Sequence, residues 1–491
     1  MISDSKVSHI DPERCFDTLI VGNGALGLAL GLELAKRGQR VGLIGPKQRF
    51  GSASAAAGAM NGCFGEVTST LLSTSLGRTK HLLDIMASRV WDDWAAEIAE
   101  IANVPLTSLR QKSGTTVILN GIGTSEIDSA NFRSIRCALD ECKEPYSILE
   151  EGDIGWISPQ ASSRAFQAIH IPNEHSVQTP NYLNAIESAY VKYGGILVDS
   201  HLKKIESNSS TSSSLILDNN DKLTTNTIVL AAGAHSWELL NNGFPEIGSL
   251  VPPMVSGCGV SVLIHKIKAR PMSGVIRTPN RAFACGLHAV PRPNGIYLGA
   301  TNIFSNQPQI SPMVSDLQFL LDCGMKQLHT SLATGRIQAV QLGNRPVPID
   351  GFPLIGVLPD PKIWIMTGTY RDGFHQSPLL AQLLARAICK EGSADDILSV
   401  FSPVRQPVQT GSRQKIVSAA VEHTIATGFE SDWRIPAKWG PRIKADLHLK
   451  FDSAANQIHS HLTPPSEMLA FSIDNPWLLA RIRKYYAAHG L

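Results

Sequence analysis

Three glycines near the start of the chain have the spacing that binds a phosphate group. Gly22, Gly24 and Gly27 form a G-x-G-x-x-G motif within residues 19–46, LIVGNGALGLALGLELAKRGQRVGLIGP. The first glycine of such a motif permits a tight turn, the second lets a pyrophosphate approach the backbone, and the third lets a helix pack closely on a strand. The free N–H groups that open the helix then face the phosphate charges.

The elements around the motif are those that such a site needs. Residues 16–21 are apolar and predict a strand, and the helical pattern after the glycines ends near Gly38. A second apolar run follows as the next strand. A glycine motif alone is a weak signal, but between a strand and a helix it favours nucleotide binding over a structural turn.

The second strand lacks the acid that usually holds a ribose. Gly45 and Pro46 stand at its end, and residues 40–50 contain no Asp or Glu. Lys47, Gln48 or backbone groups are candidate replacements, and the sequence does not choose among them. The missing carboxylate also admits a 2′-phosphate, so NADP is the rival nucleotide for this stretch.

Composition is that of an ordinary globular protein. The 491 residues, 43% hydrophobic and 18% charged, are enough for two or three folding units. A net charge of +2 gives no reason to expect nucleic acid as a partner. No apolar run is long enough to span a membrane, and the polar N-terminus predicts a cytoplasmic location. The eight cysteines form no C-x-x-C pair, so neither a metal site nor a disulfide framework is expected.

Three further segments stand out. Residues 51–65, GSASAAAGAMNGCFG, are small enough to let backbone approach a flat or bulky group closely. Ser377-Pro378 predicts the start of a helix that runs to about Lys390. From about residue 405 the composition changes, with Trp433, Trp439 and several prolines.

The order of these segments resembles the D-amino acid oxidase / glycine oxidase family of flavoproteins. Six blocks carry the resemblance, over roughly residues 16–404: FDTLIVGNGALGLALGLELAKRG, GSASAAAGAM, TPNYLNAIESAYVKYGGILV, TIVLAAGAHSW, HAVPRPNGIYLGAT, and GNRPVPIDGFPLIG with IWIMTGTYRDGFHQSPLLAQLLARAI. No block is decisive alone, but six in the right order are specific.

The resemblance implies an α/β fold with discontinuous domains. A Rossmann-type FAD-binding domain is expected from residues 16–90, 165–240 and 340–404. An α+β substrate domain with an antiparallel sheet is expected from 91–164 and 241–339. Residues 405–491 form a C-terminal extension outside the resemblance, which is expected to cover the pocket, pack against a second subunit as a homo-oligomer, or dock a carrier protein.

The resemblance also implies FAD as the nucleotide. The positions expected to bind it are Gly22, Gly24, Ala25, Leu26, Gly27, Lys47, Ser54, Ala57, Gly58, Ala59, Leu202, Ala232, Gly233, Arg371, Gly373 and Phe374. Some relatives attach the flavin through a His or a Cys. No His occurs in residues 51–65, and Asn344-Arg345 replaces any such Cys, so the FAD is expected to be non-covalent.

Four positions define the substrate pocket by the same resemblance. Arg345 matches an arginine that grips a substrate carboxylate, because a guanidinium binds a carboxylate through two parallel hydrogen bonds. Arg371 would lie near the flavin, where its charge stabilises the reduced ring. His288 and Asn302 replace a Tyr and a Met of glycine oxidase, so the pocket is more polar here. For His288, a contact to a substrate amine and a hydrogen bond within the sheet are equally good interpretations.

The resulting hypothesis is an FAD-dependent oxidase of a small amine or amino acid. Hydride transfer from Cα to flavin N5 would give an imine, and O₂ would reoxidise the flavin to yield hydrogen peroxide. One alternative is a flavin dehydrogenase that passes electrons to a quinone or protein. Another is a flavoprotein with a binding or assembly role, to which the departures at Gly45, His288 and Asn302 give some weight.

Overall fold

A computed structural model describes residues 15–207, 212–281, 286–392 and 396–491. The strands in these ranges are, in chain order, β1 (Cys15–Val21), β2 (Val41–Ile44), β3 (Met60–Asn61), β4 (Arg110–Gln111), β5 (Thr115–Asn120), β6 (Ser147–Leu149), β7 (Ala165–Ile171), β8 (His175–Val177), β9 (Ile196–Val198), β10 (Leu202–Ser207), β11 (Ser213–Leu217), β12 (Lys222–Leu230), β13 (Met254–His265), β14 (Val275–Arg277), β15 (His288–Arg292), β16 (Gly295–Gly299), β17 (Ile303–Ser305), β18 (Arg336–Pro348), β19 (Leu354–Val357) and β20 (Ile363–Thr367). The α-helices are α1 (Ala25–Lys36), α2 (Ser69–Leu72), α3 (Ser75–Ala102), α4 (Leu106–Leu109), α5 (Ala130–Cys142), α6 (Thr179–Lys192), α7 (Ser236–Gly243), α8 (Pro245–Ser249), α9 (Val314–Gln327), α10 (Gly373–Ile388), α11 (Asp396–Val400), α12 (Arg413–Glu430), α13 (Gly440–Ile458), α14 (Ser466–Ser472) and α15 (Pro476–Ala488).

The first sheet contains β1 and β2, the strands on either side of the glycine motif and α1. Its central order is β12-β1-β2-β9, all parallel, and β20 extends it in parallel beside β12. Strands β1 and β2 are almost continuously apolar because both faces of this parallel sheet are buried. Helices α1, α3, α6 and α10 pack together on one face. The carboxyl ends of β1 and β12 therefore meet at one edge, where ligands of such sheets bind.

The second sheet has nine strands in the order β17-β13-β16-β15-β14-β5-β7-β6, with β18 on the other side of β13. Its pairs are antiparallel except for β14 beside β5. The long pairing of β13 with β18 places Gly257 opposite Arg345. The predicted Rossmann-type sheet and the predicted antiparallel sheet are both confirmed, apart from that one parallel pair.

The C-terminal extension is helical. Helices α12 to α15 surround their own apolar cluster, which also contains Val255 from β13 and Val347 from β18. The extension therefore shares a core with the second sheet. None of the helices in the described ranges combines the length and the apolar character needed to cross a membrane.

The helix predicted to start at Ser377-Pro378 begins earlier, at Gly373. Pro378 lies inside α10, and its missing N–H would have bonded the carbonyl of Phe374. The Ser377 hydroxyl donates to that carbonyl at 2.9 Å instead. The prediction was wrong because this side-chain bond replaces the one that proline removes.

The predicted domain boundaries fall inside elements of the structure. Residue 90 lies within α3, residue 340 lies within β18, and residues 165–171 form β7 of the second sheet. The discontinuous division into FAD and substrate domains stays a prediction, and these continuous elements suggest where its limits would move.

Candidate active site

A cavity extends from the glycine turn of the first sheet to the second sheet. It is walled by the turn after β1, the loop between β2 and β3, the end of β12, and the loop that enters α10. The second sheet closes the far end. The side chains that give this end its polarity are Glu66, His288, Tyr297, Arg345, Tyr370, Arg371 and Asp372.

The glycine turn is packed so tightly that side chains are excluded. Gly22 has a φ of +119°, and a Cβ there would lie 2.3 Å from the Ala231 carbonyl oxygen. A Cβ at Gly27 would lie 1.9 Å from the Gly22 oxygen, so Gly27 serves helix packing and does not line the cavity. The Ser54 hydroxyl accepts a hydrogen bond from Ala25 N at 3.0 Å. Since Gly24 provides no side-chain cap for α1, the first turn presents backbone donors to the cavity.

Asn23 occupies the space of the acid missing after β2. A Cβ at Gly45 would lie 2.5 Å from Asn23 Cγ and 2.6 Å from Asn23 Oδ1. Asn23 Nδ2 donates to the Pro46 carbonyl at 2.8 Å, which fixes the amide over Gly45. Asn23 and Gly45 line the cavity. Lys47 is exposed and does not line it, and its backbone N–H donates to the Asp199 carboxylate. Arg49 lines the cavity but is ion-paired with Glu187.

The small-residue loop approaches aromatic and polar groups closely. A Cβ at Gly58 would lie 2.8 Å from the Tyr297 ring and 3.2 Å from His288 Nε2. The Tyr297 hydroxyl donates to the Ala56 carbonyl, and Arg292 donates to the Gly58 carbonyl at 3.0 Å. The predicted close approach is therefore present. Tyr297 and Arg292, which hold the loop, were not singled out by the sequence.

Arg345 lies flat on the strand opposite its own. A Cβ at Gly259 would come within 2.4 Å of both guanidinium Nη atoms, so glycine is what makes room for the group. Arg345 Nη1 donates to the Thr301 carbonyl at 3.1 Å and to Asn302 Oδ1 at 3.2 Å. Arg345 reaches the cavity wall, but Asn302 lies behind it and does not line the cavity.

His288 is buried and neutral. Burial, reinforced by the Arg277 and Arg345 charges, lowers the pKa of its imidazole to about 4. Its Nδ1 lies 2.8 Å from the Gly286 carbonyl, which assigns the proton to Nδ1 and leaves Nε2 as an acceptor. The ring stacks on Tyr297 with centroids 5.7 Å apart. The hydrogen bond is thus made to the loop that precedes β15 and not within the sheet, and the same ring also lines the cavity.

Glu66 balances the arginines around the pocket. Burial would raise the pKa of its carboxyl, but the Arg277 and Arg371 guanidiniums outweigh burial and lower the pKa to about 2. Arg277 Nη1 lies 2.8 Å from Glu66 Oε1. Asp372, which precedes α10, is ion-paired with buried Lys80. The acids in the wall are thus paired with other cations, which leaves Arg345 without a carboxylate partner among the described residues.

Most of the predicted site residues meet at this one cavity. Those that line it are Gly22, Gly24, Ala25, Leu26, Ser54, Ala57, Gly58, Ala59, Leu202, Ala232, Gly233, His288, Arg345, Arg371, Gly373 and Phe374. Gly27, Lys47 and Asn302 do not line it. The individual roles of these residues stay predictions. The alternating glycines of β13, at 257 and 259, were a signal of close packing that sequence reasoning did not use.

A sequence profile of FAD-dependent oxidoreductases matches residues 17–387 of the chain. The chain belongs to the FAD-dependent oxidoreductase family. Its flavoprotein character, expected from the resemblance, is confirmed. The C-terminal extension lies beyond the matched residues.

Relatives within the FAD-dependent oxidoreductases are distant. A glycine oxidase from Geobacillus kaustophilus is 24% identical over 412 residues, 81% of this chain and 98% of the relative. The crystal structure of a glycine oxidase from Geobacillus kaustophilus, 23% identical, superposes with a TM-score of 0.68 over 80% of this chain and all of the other. An iminodiacetate oxidase from Chelativorans sp. BNC1 is 17% identical, with a TM-score of 0.66 over 79% of this chain and 98% of the other. These likenesses show a glycine oxidase-like fold.

The residues present fit the FAD of this family. The glycine turn and the open first turn of α1 suit a pyrophosphate, and the small-residue loop leaves space for a flat ring. The guanidinium of Arg371, beside the loop that enters α10, supplies positive charge near the same cavity. The pairing of Arg49 with Glu187 disfavours a 2′-phosphate, because the arginine charge is already offset.

We expect FAD to be released when the purified protein is denatured with acid or detergent. No Cys lines the cavity within the described ranges, and the small-residue loop contains no His. The check is the absorbance of the supernatant after precipitation. Yellow colour that stays with the denatured chain would contradict a non-covalent cofactor, and a colourless protein that binds NADP would contradict FAD.

Proposed function

We propose that this chain oxidises the C–N bond of a small amino acid. The observation that carries the proposal is Arg345, whose guanidinium lies at the cavity wall with the acids around it paired to other cations. The half-buried guanidinium of Arg345 attracts a carboxylate, and its planar fork fixes the orientation of the bound group. A glycine oxidase and an iminodiacetate oxidase among the relatives agree with a substrate that has both an amine and a carboxylate.

Different polar groups of the pocket bind the carboxylate and the amine of the substrate. Arg345 holds the carboxylate, which directs the rest of the substrate toward the small-residue loop. His288, neutral with Nε2 as an acceptor, accepts a hydrogen from the substrate amine. Tyr297 stacks on His288 and keeps that ring in place. No residue needs to act as a strong base if the amine enters neutral.

The chemistry that bound FAD would supply is acceptance of a hydride from the substrate Cα, which would turn the amine into an imine, with O₂ as the final acceptor of the two electrons to give hydrogen peroxide. Water would then hydrolyse the imine to a carbonyl compound and ammonia, or to an amine where the substrate nitrogen carries a second carbon. Arg371 lines the same cavity, where its positive charge would stabilise negative charge on the reduced ring.

Anaerobic reduction of the bound flavin tests the proposal. Amino acids and matched amines without a carboxylate are mixed with the oxygen-free holoenzyme, and bleaching at the flavin absorbance maximum is recorded. Bleaching by at least one amino acid and not by its matched amine is the expected result. No bleaching by any compound would favour the binding or assembly role, and an oxygen electrode then separates an oxidase from a dehydrogenase. A cytoplasmic location and a homo-oligomer stay predictions.

The imidazole of His288 should not titrate in the range where the enzyme is assayed. Because its pKa is lowered to about 4, His288 is neutral above about pH 5 in the folded protein. We therefore expect kcat/KM of the His288→Gln variant to be lower than that of the wild type at every pH, with the same shape of profile between pH 5.5 and 8. An inflection near pH 6.5 that disappears in the variant would contradict a neutral His288.

A further inference from the structure

We propose that Tyr370 positions Arg345, which binds the substrate, and Arg371, and that the C-terminal extension holds Tyr370 in place. The proposal rests on the proposed function, since it takes Arg345 to bind a carboxylate. The Tyr370 hydroxyl accepts hydrogen bonds from Asn302 Nδ2 at 2.6 Å and from Arg371 Nη2 at 3.0 Å. The other end of the Asn302 amide accepts from Arg345. One hydroxyl thus connects the two arginines of the cavity.

The backbone conformation of Tyr370 and the groups packed around it restrict the position of its ring. Its φ is +51°, in the left-handed region that a bulky residue rarely adopts, and its N–H donates to the Pro346 carbonyl at 3.2 Å. The Arg371 guanidinium lies 4.6 Å from the centre of the same ring. On β13, a Cβ at Gly257 would lie 2.9 Å from Asn302 Oδ1 and 3.4 Å from the Tyr370 ring. Gly257 therefore makes room for this pair, as Gly259 does for Arg345.

The extension reaches this network through a second aromatic ring. The centre of the Phe304 ring lies 6.4 Å from the centre of the Tyr370 ring and 5.6 Å from that of Phe471, which belongs to α14 of the extension. Asn306 and Asn475 exchange amide hydrogen bonds at 2.9 and 3.2 Å beside that contact. Loss of the Phe471 ring would free Phe304 and then Tyr370 to move. The extension is therefore a specificity element that reaches the substrate through Tyr370 and Asn302.

Binding of acetate to the holoenzyme tests this without turnover. Acetate carries only the carboxylate, and its Kd is read from the change in the flavin absorbance spectrum, with acetamide as the uncharged control. Tyr370→Phe keeps the ring and removes the hydroxyl, so we expect the acetate Kd to rise on the order of tenfold. Phe471→Ala should raise it by about threefold, since an aromatic pair is worth less. Leu447→Ala, in the same apolar cluster on α13, should leave it unchanged.

The outcomes separate the two proposals. If the wild type does not bind acetate, the carboxylate pocket itself is wrong, and this inference falls with it. If the wild type binds acetate and Tyr370→Phe binds it equally well, only the positioning role is overturned. Equal losses in Phe471→Ala and Leu447→Ala would overturn the role of the extension, because a general loss of stability would then explain both.

A second inference, carried by different residues, concerns the nucleotide. We infer that Asn23 replaces the ribose-binding acid, because its amide fills the space over Gly45 where that side chain would begin. The oxygen Oδ1 supplies an acceptor of the kind a ribose hydroxyl needs. Gly45 is required in turn, since any side chain there would collide with the amide.

The Kd of FAD, measured by quenching of flavin fluorescence in the reconstituted apoprotein, tests this inference. Asn23→Ala removes the acceptor and should weaken FAD binding by about 5- to 10-fold. Asn23→Asp keeps an acceptor but loses the donor to Pro46, so its Kd should stay within about threefold of the wild type. An unchanged Kd in Asn23→Ala, or an Asn23→Asp as weak as Asn23→Ala, would show that the amide only supports the loop.

Discussion

Arg345→Met is expected to lower kcat/KM for the best amino acid by about 30- to 1,000-fold, with FAD still bound and the fold intact. A charge-assisted bidentate contact is worth about 2–4 kcal/mol when its removal leaves the partner unpaired, and this free energy gives the expected factor. Within the part of the chain that the structure describes, Arg345 donates to the Thr301 carbonyl and the Asn302 amide, both uncharged, so folding depends little on its charge. Steady-state kinetics and the flavin absorbance of the purified variant are the measurements.

The division of that loss between kcat and KM tells what Arg345 does. A rise in KM alone would mean that the arginine anchors the bound substrate. A matching fall in kcat would mean that it also aims Cα correctly. Arg345→Lys should rescue only in part, because an ammonium lacks the planar fork. An amine without a carboxylate is the control and should be insensitive. Unchanged turnover of the best amino acid would remove carboxylate recognition by this residue.

The glycine turn could be predicted from sequence because its signal is local. Strand, Gly22, Gly24 and helix follow one another within about twenty residues, and their order restricts the backbone directly. The substitute for the missing acid could not be predicted in this way. Asn23 meets Gly45 and Pro46 only when β1 and β2 are side by side, so its role appears only in the folded structure.

The substrate end of the cavity needed more than local patterns. Arg345 was identified through the family resemblance, since an arginine in an apolar segment has many possible uses. The guanidinium of Arg345 packs over Gly259 and is linked through Asn302 to Tyr370. These contacts join segments that are far apart in sequence. The start of α10 was misplaced for a similar reason, because the bond from Ser377 to Phe374 competes with the usual preference of proline.

Truncation after Arg405 is expected to give insoluble protein or one that unfolds at a much lower temperature. Removal of the extension would expose the apolar side chains of Val255, Val347 and Ile349, which are buried against it. Exposure of three such side chains costs about 5–9 kcal/mol, which approaches the whole stability of a typical domain, about 5–15 kcal/mol. Soluble yield and a thermal melt of the holoprotein are the measurements.

The loss of an ion pair with buried Arg281 would lower the stability of the truncated protein further. Arg281 is buried between Asp128, at 2.5 Å, and Glu430 of the extension, at 3.3 Å, so truncation would remove one of its two carboxylate partners. The matched control removes only Gly490 and Leu491, of which Leu491 is exposed, and should melt like the wild type. If the chain cut after Arg405 is soluble and melts with the control, the extension contributes nothing to stability. Its position beside Tyr370 would then be its only connection to the site, and the acetate Kd of the truncated protein would measure that connection directly.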